Sequence, residues 1–145
     1  MKNTVYFLSP GQDRSSIAEG WAGRLDMSGW AFKSAGLMRK HHKKSFSTLA
    51  MKEYNIDINT LKRDPIQIDE LAGASLIVTI YDEEMDDAIK FPEEWEEKVI
   101  HWNLPNPEKR STSELEEWVF FQEICDEIAM KVRDLESLLP SIRMN

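Results

Sequence analysis

Apolar residues in this chain follow two spacings, and the alternation between them sets out its elements. Val5-Tyr6-Phe7-Leu8 is an unbroken apolar run closed by the turn residues Ser9-Pro10-Gly11, which predicts a strand. Ser16 stands three before Glu19, the spacing of a capping box, and predicts a helix start. Ile17, Trp21 and Leu25 then give that helix one buried face. Trp30-Ala31-Phe32-Lys33 predicts a second strand, stopped near Gly36. Helical spacing returns from about Phe46 to Tyr54. Leu76-Ile77-Val78-Thr79-Ile80 is continuous and apolar, as suits a parallel strand covered on both faces, and Lys98-Val99-Ile100-His101-Trp102 predicts a fourth strand. Ser111 and Glu114 form a second capping-box spacing before the longest helical stripe: Leu115, Trp118, Phe121, Cys125, Ile128, Val132 and Leu135.

Strands alternating with helices call for a three-layer α/β fold, a four-stranded parallel sheet flanked by helices. No internal repeat, low-complexity tract or linker interrupts residues 1–145, so one domain is expected. Ligands in such folds bind beyond the C-terminal strand ends. The first such end is Leu8, which directs attention to the loop from Ser9 to Ser15. A strand leads into this loop and a helix leads out, and backbone N–H groups at a helix N-terminus attract anions. Arg14 could add bidentate contacts to a phosphate-like oxyanion. Ser9, Gly11, Gln12, Arg14 and Ser15 are therefore the candidate anion-binding set. The plain alternative is a β–α turn carrying a surface arginine.

Composition narrows the classes. Hydrophobic residues make up 41% and charged residues 30%, as expected of a soluble globule with a core. No apolar run approaches the roughly 18–20 residues that span a bilayer, and the N-terminus lacks the features of a signal peptide. The net charge of −8 argues against nucleic acid and anionic membrane as partners. Cys125 is the only cysteine, which excludes an intramolecular disulfide, a Cys-rich zinc site and a disulfide relay within the chain. A reducing, cytoplasmic location follows as the expectation. Cys125 lies on the apolar stripe, so a buried inert thiol is expected. The acidic run Asp82, Glu83, Glu84, Asp86 and Asp87, followed by Glu93, Glu94, Glu96 and Glu97, reads as a solvated helix face, or else as a rim that docks a basic protein partner. Arg39, Lys40, His41, His42, Lys43 and Lys44 read as an exposed basic loop. His41 and His42 lack a third ligand for a metal. The spacing of the five tryptophans fits packing better than a stacking site.

The loop and the segments after it resemble the low-molecular-weight tyrosine phosphatase and thioredoxin-coupled arsenate reductase superfamily. That family carries Cys, five residues, Arg, then Ser or Thr after its first strand, and its reductases continue with a segment like Ala18-Glu19-Gly20-Trp21. Further similarities run collinearly: Lys33-Ser34-Ala35-Gly36, Ala50-Met51-Lys52-Glu53 with Ile56-Asp57-Ile58, Ala74 to Thr79, His101-Trp102, Pro107, and Trp118-Val119-Phe120-Phe121. The resemblance implies the low-molecular-weight phosphatase fold. It also implies a departure from the family chemistry. The nucleophile position is Ser9, whose hydroxyl is far less acidic than a thiol and has no adjacent base in sequence. Four residues rather than five separate Ser9 from Arg14, Pro10 removes an N–H, and Asp13 puts a carboxylate in the loop. The general-acid position is Asn106, and an amide cannot protonate a leaving group. The two further cysteines of the reductases are replaced after the third strand by Tyr81 to Asp87.

Some reductases of this type hold a structural potassium ion, and the resemblance puts Glu19, Ser34 and Asp64 at its ligands. The alternative is that Glu19 and Ser34 hydrogen-bond the loop. No cofactor is implied. The leading expectation is a catalytically inactive homologue that serves as a protein-binding or regulatory module. An oxyanion-binding module through Ser9 and Arg14 comes next, and a weak phosphatase acting through Ser9 comes last.

Overall fold

A computed structural model of the chain describes residues 3–37, 46–60 and 66–141. The four apolar runs are strands: β1 (Asn3–Ser9), β2 (Trp30–Gly36), β3 (Leu76–Tyr81) and β4 (Val99–Asn103). They form one fully parallel sheet in the order β2-β1-β3-β4. Helices α1 (Gln12–Ala22), α2 (Phe46–Lys52), α3 (Ile68–Ala72), α4 (Pro107–Arg110) and α5 (Glu114–Leu138) follow in chain order, with short 3₁₀ turns at 58–60, 93–98 and 139–141.

Successive side chains on a strand point to opposite faces, and β1 shows it. Val5 and Phe7 join Ile17, Met51, Phe121, Ile128 and Leu135 in the larger core, under α1, α2 and α5. Tyr6 and Leu8 join Leu71 of α3 and Ile77 in a smaller core on the opposite face. A strand covered on both faces has no room for polar side chains, which is why 5–8 is unbroken and apolar.

Two capping expectations shift. α1 starts at Gln12, four residues before Ser16, with Gly11 as an N-cap that makes no side-chain bond. Ser16 is buried inside the helix, and Glu19 accepts instead from Ser34 Oγ at 2.7 Å. At α5 the cap is Ser113, whose Oγ accepts from the Glu116 N–H at 3.1 Å, while Glu116 Oε1 accepts from the Thr112 N–H at 2.8 Å. Ser111 instead ends α4. The stripe on α5 is buried from Phe121 to Leu135, but Leu115 at its head is 73% exposed. Among the described residues no helix is long and apolar enough to cross a membrane.

Candidate functional site

The strand order reverses at β1, since β2 lies on one side of it and β3 on the other. The loop after β1, the turn after β3 and the segment after β4 therefore meet at one sheet edge, the place where open parallel sheets bind ligands. Arg14 comes from the first turn of α1, which follows the first, Asp82 and Asp86 from the second, and Leu104 and Asn106 from the third.

Ser9 ends β1 and is fully buried. Its Oγ accepts from the Ser15 N–H at 3.1 Å, lies 2.9 Å from Ser15 Oγ, and contacts the Gly11 carbonyl. Ser15 Oγ is 3.1 Å from both the Gln12 and the Ala35 carbonyls. The two hydroxyls thus stitch the loop to itself and to β2. Gly36 presses on the same loop: a Cβ there would stand 2.8 Å from the Gln12 nitrogen and 3.0 Å from its Cα. Asp13 turns toward α2, where its carboxylate accepts from Ser47 Oγ at 2.8 Å, rather than into the loop.

Arg14 is buried, and its Nη1 donates to Asp86 Oδ2 at 2.9 Å and to the Leu104 carbonyl at 3.3 Å. Asp86 also accepts from the Asp82 N–H at 2.8 Å and from Asn106 Nδ2 at 2.7 Å, with Lys109 Nζ 3.5 Å away. Burial pushes the Asp86 carboxyl up, but the Asp82 N–H, the Asn106 amide and Arg14 together hold it below the usual carboxylate range. Asp82 lies behind it. Arg110 grips Asp82 through Nε and, at 2.8 Å, through Nη2. The N–H groups of Asn106, Glu84 and Met85 close the remaining valences. The Arg110 hydrogen bond is the main reason the Asp82 carboxyl falls well below its ordinary range, against the opposing effect of burial. Asn106 caps α4 by accepting from the Lys109 N–H at 3.1 Å. Its amide therefore bridges two structural duties.

The acidic run after β3 is thus divided. Glu83, Glu84 and Asp87 face solvent, while the side chains of Asp82 and Asp86 are buried in ion pairs within a turn and not on a helix face. Sequence reasoning put Asp82 and Asp86 on a solvated helix face or a docking rim and gave Arg110 no role, whereas both carboxylates are buried in ion pairs. The one available signal was an acidic pair placed at the C-terminal end of an apolar strand. Cys125 is buried on α5, and burial first, then Asp126 and Glu53, push its thiol up to about 12. Of the cation set, Glu19 and Ser34 bond each other, and burial raises the Glu19 carboxyl. Asp64 lies outside the described residues, as do His41, His42 and the basic loop. Among the described residues no group of three or more His, Cys, Asp or Glu could hold a metal ion.

A four-stranded parallel sheet with an arginine-bearing strand–loop–helix at its switch point defines the α/β fold of the low-molecular-weight phosphatases and arsenate reductases. No family model matches the chain. An arsenate reductase of Bacillus licheniformis is 35% identical over 133 residues, covering 91% of this chain and 94% of that protein. One of Bacillus subtilis is 35% identical over 131 residues, covering 90% and 92%. Among solved structures, an arsenate reductase in the phosphate binding state has a TM-score of 0.72 at 23% identity, over 99% of this chain and 100% of that one. An arginine phosphatase from Geobacillus stearothermophilus has a TM-score of 0.75 at 15% identity, over 96% and 94%. The chain belongs to the arsenate reductase family, within the low-molecular-weight tyrosine phosphatase superfamily, and it lacks that family's nucleophilic cysteine.

Proposed function

We propose that this family member performs no turnover and works as a protein-binding or regulatory module. The observation that carries this reading is the state of Ser9. Its hydroxyl is fully buried and bound to its own loop through Ser15 and Gly11. Among the described residues no His, Asp or Glu reaches it. A serine nucleophile needs an adjacent base and an open approach, and among the described residues Ser9 has neither. Asn106, at the acid position, is committed to Asp86 and to the cap of α4. A disulfide relay is ruled out by the single buried cysteine. The exposed carboxylates of Glu83, Glu84 and Asp87, and of Glu93, Glu94, Glu96 and Glu97, favour a basic protein as partner.

The test is initial-rate hydrolysis of an aryl phosphate, together with thioredoxin-coupled reduction of arsenate, in the wild type and Ser9→Ala. Both proteins should match the enzyme-free blank. Turnover present in the wild type and lost in Ser9→Ala would replace this reading with that of a weak phosphatase. The binding role is tested by co-purification from the protein's own cells. A basic partner retained by the wild type and released by Glu93→Lys with Glu94→Lys supports it, and retention regardless of these charges counts against it.

A further inference from the structure

The buried arginine at the sheet edge is left without a task by a role that involves no turnover. Arg14 has a side chain only 5% exposed, and the carboxylate it meets, Asp86, is 1% exposed. A buried charge is tolerated only when paired and hydrogen-bonded, and here the pair is supplied from within the chain, 72 residues away in sequence. The donors around Asp86 are of the kind that grip an oxyanion. They comprise one guanidinium N–H from Arg14, one backbone N–H from Asp82, one amide N–H from Asn106, and the Lys109 ammonium at 3.5 Å. All four converge on two carboxylate oxygens. The neighbouring carboxylate, Asp82, is already neutralised by Arg110. Without the Asp86 charge, Arg14 and Lys109 would leave the spot with an uncompensated positive balance.

We infer that Asp86 is a tethered anion: its carboxylate fills, from within the chain, the donor set of a latent site for a tetrahedral oxyanion of the phosphate class, and keeps that site shut. This rests on the proposed absence of turnover, because the site so described binds without reacting. Tethering explains why the site stays closed. A ligand carried on the same chain competes at an effective concentration of about millimolar or more, and it carries a charge that repels any free anion approaching the same donors. Every side-chain hydrogen bond that Arg14 makes within the described residues leaves from Nη1. Its planar fork can therefore address an oxyanion more fully than it addresses Asp86.

The probe is inorganic phosphate, read by thermal unfolding and by calorimetric titration. Wild-type protein should show no phosphate-dependent shift at millimolar phosphate. Asp86→Ser, which removes the tethered charge, should melt lower without phosphate. It should then gain roughly 3–6 °C for each tenfold increase in phosphate above its Kd. Arg14→Met combined with Asp86→Ser should lose the gain. Asp86→Asn keeps the volume and serves as the second variant, and either variant folding only when phosphate is added counts for the inference. A folded Asp86→Ser and Asp86→Asn that both ignore phosphate would overturn it. So would variants that stay unfolded with or without phosphate, because Asp86 would then be a structural residue alone. Phosphate binding by the wild type as tight as by the variants would show that Asp86 shuts nothing. The reading of no turnover fails separately, through hydrolysis that depends on Ser9.

Discussion

Replacing Arg14 by methionine removes the guanidinium while keeping most of its stem, so the loss falls on the ion pair rather than on packing. Breaking a buried pair by removing one partner costs about 3–5 kcal/mol, because the other charge is left uncompensated. Asp86 would still accept from the Asp82 N–H at 2.8 Å and the Asn106 amide at 2.7 Å, with Lys109 at 3.5 Å. These surviving partners bring the expected loss to the bottom of that range or just below it, about 2–3 kcal/mol. A domain of this size has on the order of 5–15 kcal/mol of stability, so the variant should fold. Urea unfolding followed by fluorescence of the five tryptophans should show a midpoint lower by about 1 M. Asp86→Asn should cost a similar amount, by stranding Arg14. The double variant should cost no more than either single, a coupling of about 2 kcal/mol. Single losses below about 1 kcal/mol, or losses that simply add, would mean that the pair is not the buried, mutually neutralising contact described.

Three further outcomes are expected. Gly36→Ala drives a methyl to 2.8 Å from the Gln12 backbone nitrogen, where no flexible side chain can yield, and should cost about 1–3 kcal/mol in the same urea assay. Asp82 and Asp86 both have carboxyls held below the unfolded value, so the stability they supply is present above about pH 4 and is lost as pH falls through the depressed folded values. Urea midpoints measured against pH should therefore fall less steeply on the acid side in Asp82→Asn than in the wild type. Cys125 is buried, with its thiol pushed up to about 12, so a thiol reagent should label it only in denaturant. Labelling of the native protein at the rate of a free thiol would contradict its place in the core.

The sheet was legible because burial on both faces forces apolar runs, and β1, β3 and the buried part of α5 follow directly from them. Helix starts were less legible. The Ser-x-x-Glu spacing occurs at Ser111 with Glu114 and again at Ser113 with Glu116, and only the packing of α4 before α5 selects the second. Ser16 mimics a cap, yet the chain enters α1 at Gly11 because the loop must fold against Gly36. The short helices α3 and α4 are too brief to impose a period. At the site, the loss of the family's cysteine stands in the sequence itself. The pairing of Arg14 with Asp86 does not, because pairing across 72 residues leaves no local pattern, and a buried aspartate looks like any other member of an acidic run.

The proposed absence of turnover rests on the whole sheet edge, and not merely on one missing nucleophile. Ser9→Cys tests that claim most directly. The variant restores the thiol and leaves Arg14 paired, Ser15 bonded to the Gln12 and Ala35 carbonyls, and Asn106 capping α4. Aryl phosphate hydrolysis by folded Ser9→Cys should stay at the level of Ser9→Ala. Hydrolysis well above Ser9→Ala, saturable and inhibited by phosphate, would show that the edge still binds and turns over an oxyanion and would contradict the account.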